Sequence, residues 1–342
     1  MNDDSGSQQI IDILIIGAGL AGLAAASDLK SQGRNVIVVD KGRGPGGRLA
    51  SRHIANASFD NGAQFMTTRH PRFLSQVQQW IEAGVAEKWY SSFPGHPNSH
   101  ARYRGVPTMT AIAKNLAVGL DVRCSNQVTS ISSDESFWFT LLENGDTIKS
   151  RALIVTSPVP QTKTLLAAGN IQLSSHNQQR LDHITYESCL SVMAILDMPS
   201  ALTPPGALML NEGPIAWITD NQQKGVSAIP SVTIHASGDF SSRYFNEDSN
   251  AVGGLLIKAA KPFLKAEVKE FQVHGWRYSK PVNIDTKPCM IANEDTDLPP
   301  IILAGDAFDG PRVEGAVLSG SVSYTHLRAH ETEADVVCRR LL

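Results

Sequence analysis

The stretch IDILIIGAGLAGLAAASDL, Ile11 to Leu29, constrains this chain more than any other. Ile13, Leu14, Ile15 and Ile16 form an unbroken aliphatic run, the pattern of a parallel strand buried on both faces. Gly17, Gly19 and Gly22 follow at G-x-G-x-x-G spacing, with Leu20 and Ala21 opening a small-residue helix. The first glycine permits the tight turn, the second lets backbone approach a pyrophosphate, and the third lets the helix pack closely on its strand. The helix N-terminus adds unpaired N–H groups and a partial positive charge. Alone, this glycine spacing is a weak signal. A second apolar strand, Val36 to Val39, ends at Asp40, whose carboxylate suits a ribose diol. The combined unit predicts a dinucleotide site.

A chain of 342 residues is long for a single core and suits two domains. Its net charge of -3 gives no electrostatic reason to expect nucleic acid or an anionic membrane as partner. No apolar run approaches the roughly 20 residues of a membrane span. The polar, acidic start MNDDSGSQQ lacks the basic end and apolar core of a secretory signal, so a cytoplasmic protein with a short frayed N-terminus is expected. Cys124, Cys189, Cys289 and Cys338 are scattered, with no C-x-x-C pair, and are expected to be buried reduced thiols. The histidines show no ligand spacing, and no metal is expected.

After Asp40 comes KGRGPGGRLASR, residues 41 to 52, a loop opening with Lys41 and holding four glycines and three arginines. Gly46, Gly47 and Arg48 offer bare backbone and a guanidinium to a large anionic cofactor. FDNGAQFMTTRHPRF, residues 59 to 73, follows. It resembles the second FAD signature of the flavin amine-oxidase superfamily. More narrowly, GGRLASR followed by FDNGAQFMTTRHPRF is similar to the bacterial renalase-like branch of that superfamily. The closing IILAGDAFDGPRVEGAVLSG, residues 301 to 320, resembles the third cofactor signature.

The resemblance implies an α/β protein: a discontinuous Rossmann-like FAD-binding domain with an interposed α+β substrate domain. The boundaries read from the chain are 1–72, 103–171 and 274–321 for the FAD domain, and 73–102 and 172–273 for the substrate domain. FAD is expected to bind non-covalently, since no cysteine lies in the third signature. By resemblance, Arg48 lies near the pyrophosphate. Gly62, Ala63 and Gln64, preceded by Asn61, lie beside the isoalloxazine. Val128 pairs its backbone with the adenine, and Asp306, after Gly305, meets the ribityl chain. The helix beginning at Val313, Glu314, Gly315 and Ala316 would turn its positive end toward the flavin.

Between the signatures, residues 73–89 read as an amphipathic helix with Phe73, Val77, Trp80 and Ile81 on one face. Residues 91–105 read as a loop, and Pro107 as the opening of a helix through Leu116. Phe137 to Leu142 and Thr147 to Val155 read as a hairpin turning at Asn144-Gly145, and residues 152–162 as a strand ending in a proline-rich turn. From about Gln172 to Val273, strands such as Cys189 to Leu196, Ala207 to Leu210 and Ser231 to Ala236 alternate with polar loops, predicting an antiparallel sheet with flanking helices. In renalase-like proteins similar segments face the cavity before the flavin. Trp217, Asn221, His235, Trp276 and Arg277 are therefore the substrate-orienting candidates, suited to a flat, phosphate-bearing molecule.

The resemblance implies oxidation of isomeric dihydronicotinamide dinucleotides, the 2- and 6-dihydro forms, to NAD(P)+, with oxygen reduced to hydrogen peroxide. A dihydropyridine is already a good hydride donor, which fits the absence of an evident acid/base dyad. Two alternatives remain open: an amine oxidase or dehydrogenase with an aromatic cage of Trp217 with Trp276 or Tyr278, and an FAD-binding module without turnover. One departure stands out. The family runs a small-residue helix from Gly320 onward, whereas YTHLRAHET resembles the translation of a sequencing adapter, so residues 322–342 are expected to be a foreign tail.

Overall fold

In a computed structural model of the chain, residues 10–91 and 100–323 are described. The first part forms β1 (Ile11–Ile16), α1 (Leu20–Ser31), β2 (Val36–Val39), β3 (Ser51–Ile54), β4 (Ala57–Asp60), β5 (Met66–Thr67), α2 (Pro71–Glu82), β6 (Ala86–Tyr90), β7 (Arg102–Gly105) and α3 (Thr110–Leu116). Then follow β8 (Asp121–Arg123), β9 (Val128–Ser133), β10 (Trp138–Leu142), β11 (Thr147–Val155), α4 (Val159–Ala168) and α5 (Ser175–His183). The rest forms β12 (Tyr186–Leu196), β13 (Ala207–Met209), β14 (Ile215–Asp220), β15 (Ser231–Ala236), α6 (Gly238–Tyr244), α7 (Ser249–Leu264), β16 (Val268–Pro281), β17 (Met290–Ile291), β18 (Ile301–Leu303) and α8 (Asp306–Asp309). A further helix, α9, covers 313–323.

Two compact units emerge. The first holds the chain up to Gly47, Leu116–Ile184 and the part from Asn283 onward. Its sheet runs β17-β18-β11-β1-β2-β8, with β18, β11, β1, β2 and β8 parallel. Ile13, Leu14 and Ile15 of β1 are buried, as an unbroken aliphatic strand must be at the centre of such a sheet. The β9-β10-β11 strands form an antiparallel meander, and Gly145 takes φ +91° in its expected turn. Because α1 presents Ala21, Gly22, Ala24, Ala25 and Ala26 as buried residues, its backbone can lie close to the sheet.

The second unit holds Arg48–Asn115 and Thr185–Val282. Its main sheet, β13-β14-β15-β12-β16, is antiparallel throughout. Strand alternation divides its side chains between two faces. Leu190, Val192, Ile218 and Ile234 join Val252, Leu256 and Ala260 of α7 in one core. On the other face, Met193 and Ile195 of β12 meet Ile54, Ala57 and Phe59 of the β3–β4 hairpin.

Several expectations need correction. The helix expected over 73–89 ends at Glu82, where Gly84 takes φ +71°, and the chain continues as β6. Phe73, Val77 and Trp80 do form its buried face. Within the expected 91–105 loop, Arg102–Gly105 form β7, paired with β6; residues 92–99 lie outside the described residues. Pro107 does not open a helix; α3 begins at Thr110, and Asp60 accepts from the N–H of Met109 just before it. The proline-rich turn after β11 becomes the start of α4, with Pro158 as its cap residue. Cys289 is buried, but Cys124 and Cys189 are half-buried; all three are free thiols.

The two units also divide the chain elsewhere than at 72, 102, 171 and 273. A boundary at 274 would cut β16, which runs unbroken from Val268 to Pro281, and the β3–β4 hairpin joins the second unit through Met193 and Ile195. The expected frayed N-terminus and the expected foreign tail from 324 onward lie outside the described residues; Val322 and Ser323 continue α9.

Candidate functional site

In the first unit the phosphate turn sits at the C-terminal end of β1, between β11 and β2, where a doubly wound sheet opens a ligand crevice. Each glycine has a distinct physical task. A Cβ at Gly22 would collide with the carbonyl oxygen of Gly17, so only glycine lets helix and turn meet. Gly17 has φ +115° and would crowd the Thr156 hydroxyl. Gly19 has φ -74°, and a Cβ there would meet nothing within 4 Å. It is thus not required by the protein's own packing, and fits a turn that leaves room for a pyrophosphate.

The turn is braced on both sides. Thr156 Oγ1 donates toward the Ile16 and Gly17 carbonyls at 3.2 and 3.1 Å, and the Gly46 N–H donates to the Ala18 carbonyl at 2.8 Å. Asp40 accepts from the Ala18 N–H at 2.7 Å and the Gly42 N–H at 2.6 Å, tying the phosphate turn to the glycine-rich loop. Lys41 is exposed and donates to Gln161 Oε1 at 3.2 Å, while Gly47 takes φ +53° with its Cβ position 3.5 Å from Gly19. Val128 opens β9 opposite Leu142.

The third signature is built on the same unit. Gly305 takes φ +143° after β18, and its N–H is accepted by Ser319 Oγ of α9 at 2.8 Å; Ser319 in turn donates to the Pro288 carbonyl at 2.6 Å. Asp306 opens the short α8, which precedes α9. Val313, Glu314 and Gly315 are buried at the start of α9, with Ala316 half-buried. A Cβ at Gly315 would strike the Gly310 carbonyl, and one at Gly320 the Ala21 carbonyl. This close packing fixes the N-terminus of α9.

In the second unit the remaining candidates gather on one face of the sheet. Trp217, His235, Ser191 and His274 lie in register across β14, β15, β12 and β16, and Trp276 follows two residues beyond His274. The segment after β4 lies against this row. The Asn61 carbonyl accepts from Trp276 Nε1 at 2.9 Å and pairs with His235 Nε2 at 3.3 Å. A carbonyl cannot donate, so His235 carries its proton on Nε2 and leaves Nδ1 as an acceptor. Burial, with the Lys224 charge adding to it, pushes the His235 imidazole down to about 4 against the hydrogen bond to Asn61. The ring is neutral at pH 7.

Arg48 donates to the Ser279 carbonyl at 3.2 Å. A Cβ at Gly62 would collide with the Arg48 carbonyl, which accepts from the Ala63 N–H at 2.9 Å. Gln64 Nε2 reaches the carbonyls of Asp60 and Gly62 at 2.6 and 3.0 Å. Asn221 Nδ2 donates to Thr233 Oγ1 at 3.0 Å. Both polar side-chain atoms of Asn61, with Gln64 Oε1, Asn221 Oδ1 and Ser191 Oγ, are buried and have no protein partner. Such groups fit a ligand rich in donors and acceptors.

Arg277 does not join them. Adjacent strand residues point to opposite faces; Arg277 is exposed, 4.4 Å from the Phe245 ring centre and bonded to Asn246 at 3.1 Å. Tyr278 pairs edge-on with Tyr186, 5.6 Å between centroids. Two other groups on this face were not singled out by sequence. Arg52 Nη2 donates to His274 Nδ1 at 3.0 Å, and Lys224 forms a fully buried ion pair with Asp60 at 2.8 Å. Asp60 lies within a recognisable signature, whereas Lys224 sits in the polar run TDNQQKG, which reads as a solvated loop.

Residues 15–80 match the family model of an NAD(P)-binding Rossmann-like domain, and residues 92–321, more than half of the chain, match that of the flavin containing amine oxidoreductases. Protoporphyrinogen oxidase 2 of Arabidopsis thaliana is 36% identical over 98 residues, 28% of this chain and 18% of that protein. (S)-6-hydroxynicotine oxidase of Paenarthrobacter nicotinovorans is 30% identical over 86 residues, 24% of this chain and 20% of that protein. The matched stretches thus span about a fifth of these relatives. Among solved structures, putrescine oxidase bound to putrescine has a TM-score of 0.69 at 15% identity, covering 94% of this chain and 99% of that one. Cyclohexylamine oxidase from Brevibacterium oxydans has a TM-score of 0.68 at 14% identity, with the same coverage. At such identity these likenesses show the fold. Among the described residues no helix is long and apolar enough to cross a membrane.

Proposed function

This chain belongs to the family of flavin containing amine oxidoreductases, and from that premise we propose that it is a renalase-like oxidase of isomeric dihydronicotinamide dinucleotides. Its cofactor is FAD and its reaction class flavin-dependent oxidoreduction. Bound FAD supplies the two-electron acceptor. In the proposed reaction a 2- or 6-dihydro-NAD(P) loses two electrons and one proton and becomes NAD(P)+. Oxygen takes up these, with one further proton, as hydrogen peroxide.

The chain's own residues have the following roles in this reading. Gly17, Gly19, Leu20, Ala21 and Gly22 with Asp40 hold the pyrophosphate and ribose, and Gly47 and Arg48 assist. Asp306 and the N-terminus of α9 hold the flavin end, and Asn61 to Gln64 supply its polar neighbours. Trp217 and Trp276 wall the substrate, while Asn221 and His235 orient it. Arg277, exposed on the opposite face, is replaced in that role by Arg52.

One observation carries the choice of substrate. Asp60 is matched by Lys224 and Glu87 by Arg104, whereas Arg52 has no carboxylate partner among the described residues and donates to His274, whose imidazole is pushed down to about 4 by burial and then by the Arg52 charge. His274 stacks edge-on to Trp276 at 4.3 Å. A cation beside an aromatic wall attracts a phosphate-bearing dinucleotide and repels a protonated amine. The amine reading draws on a different observation, the Phe65–Trp217 pair at 5.4 Å, which can wall a neutral amine.

Titration of the oxidised, FAD-loaded protein with NAD+ and with benzylamine, followed by perturbation of the flavin spectrum, tests the choice. NAD+ binding that weakens with salt, and about tenfold in Arg52→Gln, as expected for loss of a charged hydrogen bond of about 1.5 kcal/mol, supports the dinucleotide reading. Binding of benzylamine alone overturns it.

A further inference from the structure

Lys224 and Asp60 form the most deeply buried ion pair among the described residues, with both side chains at 0% exposure and 2.8 Å between Nζ and Oδ2. Such a pair is a poor source of stability, because desolvating both charges offsets their attraction; positional specificity is its better attested use. The second oxygen of Asp60 accepts from the Met109 N–H at 2.9 Å and the Ser51 hydroxyl at 2.7 Å. The Asp60 carbonyl accepts from Gln64 Nε2 at 2.6 Å and the Thr233 hydroxyl at 3.1 Å. Asp60 is therefore held through carboxylate and backbone at once. Its successor, Asn61, carries the carbonyl that takes the N–H of His235 and of Trp276.

The bonds thus run in series, from the Lys224 ammonium to the Asp60 carboxylate, through one peptide link to the Asn61 carbonyl, and on to His235 Nε2. The Lys224 charge also opposes a second proton on that ring. We propose that Lys224 is a positioning residue, which through Asp60 fixes the Asn61 carbonyl on His235 Nε2 and so presents Nδ1 of the neutral ring as an acceptor for an N–H donor of the substrate. The carboxamide of a dihydronicotinamide is such a donor, and this part rests on the reading of the substrate given above. The tautomer of His235 does not.

Nitrogen and carbon NMR of histidine-labelled, FAD-free protein reads the tautomer directly. In the wild type His235 should remain a neutral Nε2–H imidazole from about pH 5 to 8; an Nδ1–H ring or a tautomer mixture overturns the proposal. Lys224→Met alone leaves a buried, unpaired carboxylate, so the informative variant is Lys224→Met with Asp60→Asn, which removes both charges and keeps an acceptor for Met109 and Ser51. In that variant His235 should become a tautomer mixture, and in the FAD-loaded enzyme KM for 6-dihydro-NAD should rise about tenfold with a smaller change in kcat. A folded double variant with a single Nε2–H tautomer and unchanged KM assigns the pair to folding alone and overturns the proposal. Wild-type protein that fails to oxidise the dihydronicotinamide removes the substrate reading and leaves the tautomer result standing.

Discussion

At the scale of single residues, the glycines of the phosphate turn separate folding from binding. Gly19 has an ordinary φ and an open Cβ position, whereas a Cβ at Gly22 would strike the Gly17 carbonyl. Gly19→Ala should therefore leave the melting temperature of the FAD-free protein unchanged and weaken FAD binding at least about tenfold, since its methyl fills the approach to the pyrophosphate. Gly22→Ala should destabilise the FAD-free protein by about 1–3 kcal/mol through overpacking. Melting curves and FAD titrations check both. The glycines were legible because their spacing is local. Lys224, Arg52 and Thr156 were not, because each acquires its partner only when distant strands meet: Lys224 finds Asp60, and Arg52 finds His274.

Two histidines of the second unit set a pH dependence. His235 and His274 have folded values near 4, below the ordinary 6.5. Between these limits the unfolded chain binds protons that the folded chain refuses, so stability rises with pH there. The contribution is complete above about pH 6.5 and is lost as the pH falls toward 4. Denaturant unfolding of the FAD-free protein should show this loss, and replacing both histidines by Gln should reduce the slope over that interval.

At the scale of elements, α9 is tied to the end of β18 by one hydroxyl. Ser319 takes the buried Gly305 N–H and reaches the Pro288 carbonyl, while Gly320 meets the Ala21 backbone of α1. Ser319→Ala should cost about 1–3 kcal/mol, because a buried N–H loses its acceptor. FAD affinity should fall with it, as the turn before Asp306 loosens. Retained stability and affinity, measured by denaturant unfolding and FAD titration, would exclude the tether. Strands that are buried or strictly alternating, such as β1, β2, β12 and β15, could be read from their pattern alone. The end of α2 and the strands β6 and β7 could not. Trp89 and Tyr90 continue an apolar character across the break at Gly84, and β7 becomes a strand only through pairing with β5 and β6.

At the scale of the whole molecule, the α/β architecture and the FAD cofactor were legible because the phosphate turn is a contiguous strand, turn and helix. The division into units was less so, since a hairpin such as β3–β4 takes its place by packing on a strand more than a hundred residues later. Unit membership is a tertiary property, set by which apolar faces meet. The proposed function combines a family-level chemistry with the charge of one sheet face. The family provides flavin oxidoreduction, while Arg52, neutral His274 and the orphaned carboxamide of Asn61 favour a phosphate-bearing, hydrogen-bonding substrate.

The most direct test of this account mixes the FAD-loaded protein anaerobically with 2- or 6-dihydro-NAD, with ordinary NADH and with a panel of amines, following the visible absorbance of the flavin. The account predicts rapid bleaching by the dihydro isomers alone, and peroxide when oxygen is readmitted. Bleaching by amines alone, or by none of these compounds, would contradict it.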